Sequence, residues 1–391
     1  MYADDVVLLS TSKQGLQNCV NKLEKFTAES EMSVNIKKTK VLVFNKAGRI
    51  KNIEIKIKFK EQNRECVQQY TYLGVVFAAS GSFSAAKRTQ LYNKGVKAMF
   101  KLRKSFSTDI PSPKTLLHIF YHTIQPVTLY GSEIWGYIPA SKWENQINKY
   151  ISKETDSLIT EKLPTKCCTY ALGVRTKSSN IACRGELGSF PFLYNILINM
   201  IKYWCYLVKE YKSNKLLISA LNLASNMEEK NKDSWLSCIR LIFKYLELEN
   251  LYKNYTNIST NKIMQIVKKK LSKIFIDEWK ESLNSETNKQ GNMGNKLRTY
   301  RKFKNLFKFE EYLQFGSKTE QQTYIYIYTK FRIRARDLRI ERGRYEGLKV
   351  EDRICYSKHV YMLYVFLVFV LSYYVSIRSE FRVLKSVTIS T

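Results

Sequence analysis

Two carboxylates stand side by side near the start of the chain, in Tyr2-Ala3-Asp4-Asp5-Val6-Val7-Leu8-Leu9. Adjacent negative charges repel, and enclosing them is expensive, so a protein that keeps such a pair commonly uses it to hold divalent cations. The other reading of an isolated pair is an exposed Asx turn or a helix cap. His118 and His122 form a second candidate, spaced i, i+4 on one helix face. They could share a metal, but no third ligand is suggested nearby, and ordinary helix-face histidines explain them better. The chain has eight cysteines and no C-x-x-C pair, which reads as reduced, buried thiols of an intracellular protein.

The acidic pair needs a turn to carry it and a sheet behind it. The aliphatic run 6–9 predicts a buried strand after that turn. Leu16, Cys19, Val20, Leu23 and Phe26 share one helical face within 12–31. A strand is expected over 41–44, another through Ile53, Ile55, Ile57 and Phe59, and one more over 70–77. Turn, helix and several strands in that order make an α+β arrangement.

These segments carry a resemblance. Tyr2-Ala3-Asp4-Asp5 before a hydrophobic strand is similar to the catalytic motif of reverse transcriptases. Asn35 with Lys38-Thr39-Lys40 resembles the next palm motif of the non-LTR (LINE-type) retrotransposon family, and Tyr72-Leu73-Gly74 resembles the primer-grip motif after it. Order and spacing agree as well as residue type. The resemblance implies an RNA-directed DNA polymerase palm over residues 1–80, with RNA and DNA template–primer as partner and no small-molecule cofactor. It implies that Asp4 and Asp5 hold Mg²⁺, that Lys38 sits near the pyrophosphate, and that Tyr72, Leu73 and Gly74 place the primer end. The other reading of Lys38 is a solvated lysine among basic neighbours, and without the upstream domain that reading is preferred.

Nucleotidyl transfer works through two metal ions roughly 3.5–4 Å apart. The family supplies a third Asp for them from an earlier strand, whereas here Met1, Tyr2 and Ala3 are all that precede Asp4. The expectation is therefore a truncated palm with an incomplete Mg²⁺ site, a fragment inactive on its own. The alternatives are a reverse transcriptase active within a longer product and a membrane-anchored basic protein.

A thumb-like helical domain is expected over residues 81–140. In 84–106, Val96, Met99, Leu102 and Phe106 recur at helical spacing, and Lys87, Arg88, Lys94, Lys97 and Lys101 crowd the other faces as candidate phosphate contacts. A surface helix of no special role reads equally well from the residues alone. Ser112 with Pro113 should start a second helix. The run 126–136 resembles the signature after the family's thumb, with Tyr130 and Trp135 expected as packing anchors.

A helical post-polymerase region should fill 141–282, with helices over 195–211, 235–248 and 262–280, and a linker over 283–296. A basic helical segment follows over 297–357. There Arg301, Lys302 and Lys304 are candidate nucleic-acid contacts, while Tyr300, Phe303 and Phe307 read as an aromatic core stripe. The family often continues from a cysteine like Cys355 into a zinc-knuckle-like module. This chain offers His359 and no further Cys, so no zinc is expected.

Residues 358–378 enclose an uncharged apolar run, 360–377, just long enough to span a bilayer. Membrane anchoring through it is the alternative to an intracellular location in nucleus or cytoplasm. Lys and Arg total 65 against 34 Asp and Glu, a net charge of +31, which makes nucleic acid the first candidate partner and an anionic membrane the second. Part of the lysine and asparagine content also fits an AT-rich coding sequence.

Overall fold

The structure, a computed structural model, describes residues 5–45, 56–87, 93–106, 111–151, 159–176, 178–209, 214–230, 232–284, 300–314 and 319–333, with residues 89, 297 and 347. The described residues up to Ile333 form one compact unit. The fold is mixed α+β, with helices dominant and three two-stranded sheets among the described residues.

Helix α1 (Lys13–Glu29) starts where Ser12, in extended backbone, accepts a hydrogen bond from the Gly15 amide at 3.0 Å. Its Leu16 and Val20 face Val41, Ile57 and Phe59, a small separate core. Phe26, on the same predicted face, stays exposed. Short strands pair in twos, and Val41, Phe59 and Cys66 from three of these strands share the small core with this helix. Strand β1 (Val41–Leu42) runs parallel to β4 (Cys66–Val67), and β2 (Lys58–Phe59) is antiparallel to β3 (Gln62–Asn63). Gln17 ties α1 to β2 by donating to the Lys58 carbonyl (2.8 Å) and accepting from the Lys58 amide (2.9 Å).

Two strand expectations need correction. The run 6–9 is not a strand: Val6, Val7 and Leu9 are exposed, and Leu8 alone packs on the small core. Among the described residues no strand pairs along this run to hold it extended and buried. The run 70–77 is a hairpin, β5 (Gln69–Tyr72) and β6 (Val75–Ala78), with Tyr72 opposite Val75. Leu73 (φ 46°) and Gly74 (φ 79°) form its two-residue left-handed turn, the twist that matches a tight hairpin. Ile53 and Ile55 lie outside the described residues.

The helical body follows. It comprises α2 (Ser84–Lys87), α3 (Gly95–Ser105), α4 (Pro113–Ile119), α5 (Gln125–Leu129), α6 (Ser132–Trp135), α7 (Trp143–Ile151), α8 (Ile159–Ala171), α9 (Asn180–Leu187) and α10 (Phe192–Lys209). Then come α11 (Lys215–Glu229), α12 (Trp235–Tyr245), α13 (Glu249–Lys253), α14 (Thr260–Asn284), α15 (Tyr300–Phe303) and α16 (Thr319–Arg332). Ser112 caps α4 by accepting from the Thr115 amide at 3.2 Å, with Pro113 in the first turn. One wide π-turn, Phe120–Ile124, separates α4 from α5 and ends just before Pro126, which has no N–H to give.

Helix α14 buries Ile263, Val267, Leu271, Phe275, Trp279 and Leu283, one i, i+4 stripe that continues into the stretch expected as linker. One core runs from Val76, Ala86 and Met99 through Phe120, Trp135, Phe192 and Trp204 to Ile242 and Phe275. Residues on both sides of the expected boundary at 140 therefore share a single interior.

Charged groups also enter this interior, each compensated. Glu161 is fully buried, bonded to Arg184 Nη2 at 2.7 Å and accepting from the Leu193 amide at 3.1 Å, at the start of α10. Burial pushes the Glu161 carboxyl up, while Arg184 and the amides pull it back. Glu186, also fully buried, accepts from Arg332 Nε at 2.9 Å and from the Tyr312 hydroxyl at 2.7 Å. Arg332 also bonds Glu310 at 3.1 Å and lies over the Phe303 ring at 4.4 Å. Tyr300 is fully buried and donates to the Ala182 carbonyl at 3.1 Å, whereas Phe303 is partly exposed.

Among the described residues no helix is long and apolar enough to cross a membrane. Cys355, His359 and the run 360–377 lie outside the described residues.

Removing one partner of a buried ion pair strands the other charge, at a cost of about 3–5 kcal/mol. Glu186→Ala should lower the unfolding free energy by about that amount in urea titrations followed by tryptophan fluorescence. A loss below about 1 kcal/mol would show that Arg332 does not depend on Glu186.

Candidate nucleic-acid interface

The hairpin turn at Leu73–Gly74 is held from outside the hairpin. The Tyr130 hydroxyl donates to the Leu73 carbonyl at 2.9 Å, and Lys94 Nζ donates to the Gly74 carbonyl at 3.2 Å. A left-handed leucine costs of order 1–2 kcal/mol. Two such bonds, each about 1 kcal/mol, are enough to offset it. The turn expected to place a primer end is thus fixed by residues from the segment expected to be a thumb.

Tyr130 differs from the expectation of a buried anchor, since its ring is half exposed and its hydroxyl serves the turn. Trp135 does fit that expectation: it is fully buried and donates from Nε1 to the Tyr130 carbonyl at 2.7 Å.

Behind the turn, Asn35 organises the second motif. Its side-chain oxygen accepts from the Lys38 amide at 3.1 Å, and its carbonyl accepts from the Thr39 hydroxyl at 2.8 Å. Tyr70 of β5 donates to the Lys38 carbonyl at 3.1 Å, so the Lys38 turn and the hairpin are joined. The Lys38 side chain is exposed. Asp5 is exposed, and Asp4 lies outside the described residues. Among the described residues no cluster of three or more His, Cys, Asp or Glu could hold a metal ion. His118 and His122 have ring centroids 4.2 Å apart, both exposed. Among the described residues, Cys167, Cys168, Cys183, Cys205 and Cys238 are buried.

The basic residues divide. Lys94, Lys97, Lys101 and Lys104 are exposed and recur at helical spacing along α3, one stripe that begins at the Gly74 carbonyl. From Lys97 to Lys104 the stripe rises about 10 Å, the axial rise of about three base pairs. Arg103 leaves this stripe and lies over the Tyr170 ring at 4.9 Å. Arg301 donates to the Asn284 carbonyl at 3.0 Å. Arg88 and the Lys302 side chain lie outside the described residues.

Two candidates are corrected. Lys304 is buried, with its ammonium bonded to Glu310 and to the Lys308 carbonyl at 3.0 Å, so no phosphate can reach it. Lys87 is drawn against the Tyr137 carbonyl at 3.4 Å, beside Cys238, with much of its side chain enclosed. Both corrections have one cause: an amphipathic helix shows which residues are charged, but neighbouring elements decide which of them are covered.

Residues 1–77 match the family model described as reverse transcriptase (RNA-dependent DNA polymerase). The match supports a reverse transcriptase domain in that stretch, which ends within β6 of the hairpin. No curated protein and no solved structure matches the chain.

Burial pushes the Lys87 ammonium down to about 8. The unfolded chain protonates Lys87 at its ordinary, higher value, so its charge costs stability at neutral pH. That cost fades as pH rises from about 8 towards the ordinary lysine value. Lys87→Met should therefore melt at a higher temperature than the parent at neutral pH, with the gap closing as pH is raised through that window. A gap that did not change with pH would refute the enclosed ammonium.

Proposed function

We propose that the chain is the C-terminal part of a non-LTR-type reverse transcriptase and that it holds a template–primer duplex of RNA and DNA. The carrying observation is the lysine stripe of α3, which starts at the Leu73–Gly74 turn of the matched stretch. Lys97, Lys101 and Lys104 contact backbone phosphates, while Tyr72, Leu73 and Gly74 face the primer end. Asp4 and Asp5 would hold Mg²⁺, and Lys38 is a solvated lysine among basic neighbours. Two-metal transfer needs a further carboxylate beside this pair, and among the described residues none is grouped to hold a metal ion, so we assign these residues duplex binding without extension. The excess positive charge favours the polyanion whatever its sequence, because phosphate contacts carry no base information.

Binding through three phosphates predicts a log–log salt slope of about −2.7, a loss of roughly fortyfold in affinity between 50 and 200 mM salt. Fluorescence anisotropy with a labelled RNA template annealed to a DNA primer measures it. Lys97→Ala with Lys101→Ala should flatten the slope by about 2; a parent slope near zero would remove the phosphate contacts from consideration. Primer extension with Mg²⁺ should give no more product with the parent chain than with the Asp4→Asn, Asp5→Asn double variant. Incorporation that the double variant abolishes would mean that residues 1–391 polymerise by themselves.

A further inference from the structure

We infer that Tyr130, together with Lys94, is a positioning residue for the primer end, acting through the Leu73–Gly74 turn. The inference rests on the reading of that turn as the primer-end grip and goes beyond it, because the fixing residues lie outside the motif and outside residues 1–77.

Both carbonyls of the turn are occupied: Leu73 by the Tyr130 hydroxyl and Gly74 by the Lys94 ammonium. The Tyr130 ring edge stands 3.4 Å from where a Gly74 Cβ would be, so the ring also closes over the turn. A two-stranded hairpin is marginal by itself, and this one carries a left-handed leucine at its tip. Its position must therefore be referenced to something more rigid.

That reference is the corner at Tyr130–Gly131. Gly131 is left-handed (φ 73°), and a Cβ on it would stand 3.1 Å from Val75 Cγ2 of β6. The corner is in turn held by the helical body. Trp135, fully buried, bonds the Tyr130 carbonyl, and Asn199 of α10 donates to the Ser132 hydroxyl at 2.8 Å. A chain of hydrogen bonds thus runs from the middle of α10 to the tip of the hairpin. A primer terminus resting on the turn is located relative to the large core, the same interior that α3 packs on while it carries the lysine stripe. The grip on the primer end and the track for the duplex then share one frame.

The test uses the full chain with a DNA primer that has 2-aminopurine at its 3′ end, annealed to an RNA template. The parent should bind with a change in 2-aminopurine fluorescence. Tyr130→Phe should bind within twofold of the parent by anisotropy yet lose at least half of that change. It should also speed amide hydrogen exchange at residues 72–76 without shifting the melting temperature. Lys94→Met should act in the same direction, and Lys94→Arg should restore the parent behaviour. If Tyr130→Phe keeps both the full fluorescence change and the parent exchange rates, the positioning role is overturned. If the parent binds the duplex with no fluorescence change while Tyr130→Phe still loosens residues 72–76, the primer-grip reading of the turn fails, and the role at the primer end fails with it.

Discussion

The bond from the buried Trp135 indole to the Tyr130 carbonyl closes the corner against which the hairpin rests, and the candidate surface depends on it. The first part of the chain is poorly equipped to stand alone. Among the described residues its own interior is Val20, Val41, Ile57 and Phe59, and each of its sheets has two strands. Sheets of that size gain stability only by packing against something larger. The hairpin supplies the connection, since Val76 of β6 belongs to the main core rather than to the small one. Around it, Gly131 adopts a left-handed backbone (φ 73°), and a Cβ there would crowd Val75 Cγ2 at 3.1 Å.

Charge follows a related logic. The buried carboxylates Glu161 and Glu186 meet Arg184 and Arg332, and Lys304 meets Glu310. The Glu186–Arg332 pair fastens the segment after residue 300 to α9, where the Glu310 amide also donates to the Glu186 carbonyl at 2.9 Å, and Glu161–Arg184 joins α8 to α9. Pairing inside leaves the surplus of cations on the surface, where self-repulsion is relieved most readily by a polyanion. A stripe such as Lys97, Lys101 and Lys104 is where that relief can also carry register, because a helix fixes the spacing of its charges.

Tyr130 and Lys94 show how a residue's role can escape a reading by type. Tyr130 sits in a segment whose resemblance suggested only packing, and Lys94 sits in a row of lysines suited to phosphates. What distinguishes them is a pair of carbonyls, Leu73 and Gly74, that are far away in the chain. No local pattern encodes such a pairing. The signal in the sequence that could have pointed to it was the turn itself: Leu-Gly between β-prone residues marks a two-residue hairpin, and the tip of such a hairpin needs outside support.

Periodicity was enough to place the elements that bury their own stripe. The stripe of α14, the apolar face of α10 and the Ser112–Pro113 start of α4 were all readable, because helix caps and i, i+4 spacing are local. The acidic pair and the motif residues after it were readable too, as residue types in order. The strands were readable in part: the stretches 41–44 and 70–77 and the residues Ile57 and Phe59 hold β1, β5–β6 and the end of β2, whereas burial at 6–9 depends on a neighbouring strand rather than on Val6 or Leu9 themselves. Sequence by itself determined the places of α1, α4, α10, α12 and α14, the motif residues and the sign of the net charge. Tertiary structure alone decided which lysines reach solvent, that Lys304 and Lys87 turn inward, and that Tyr130 supports the hairpin, because burial and long-range hydrogen bonds are properties of what packs nearby and not of the residue.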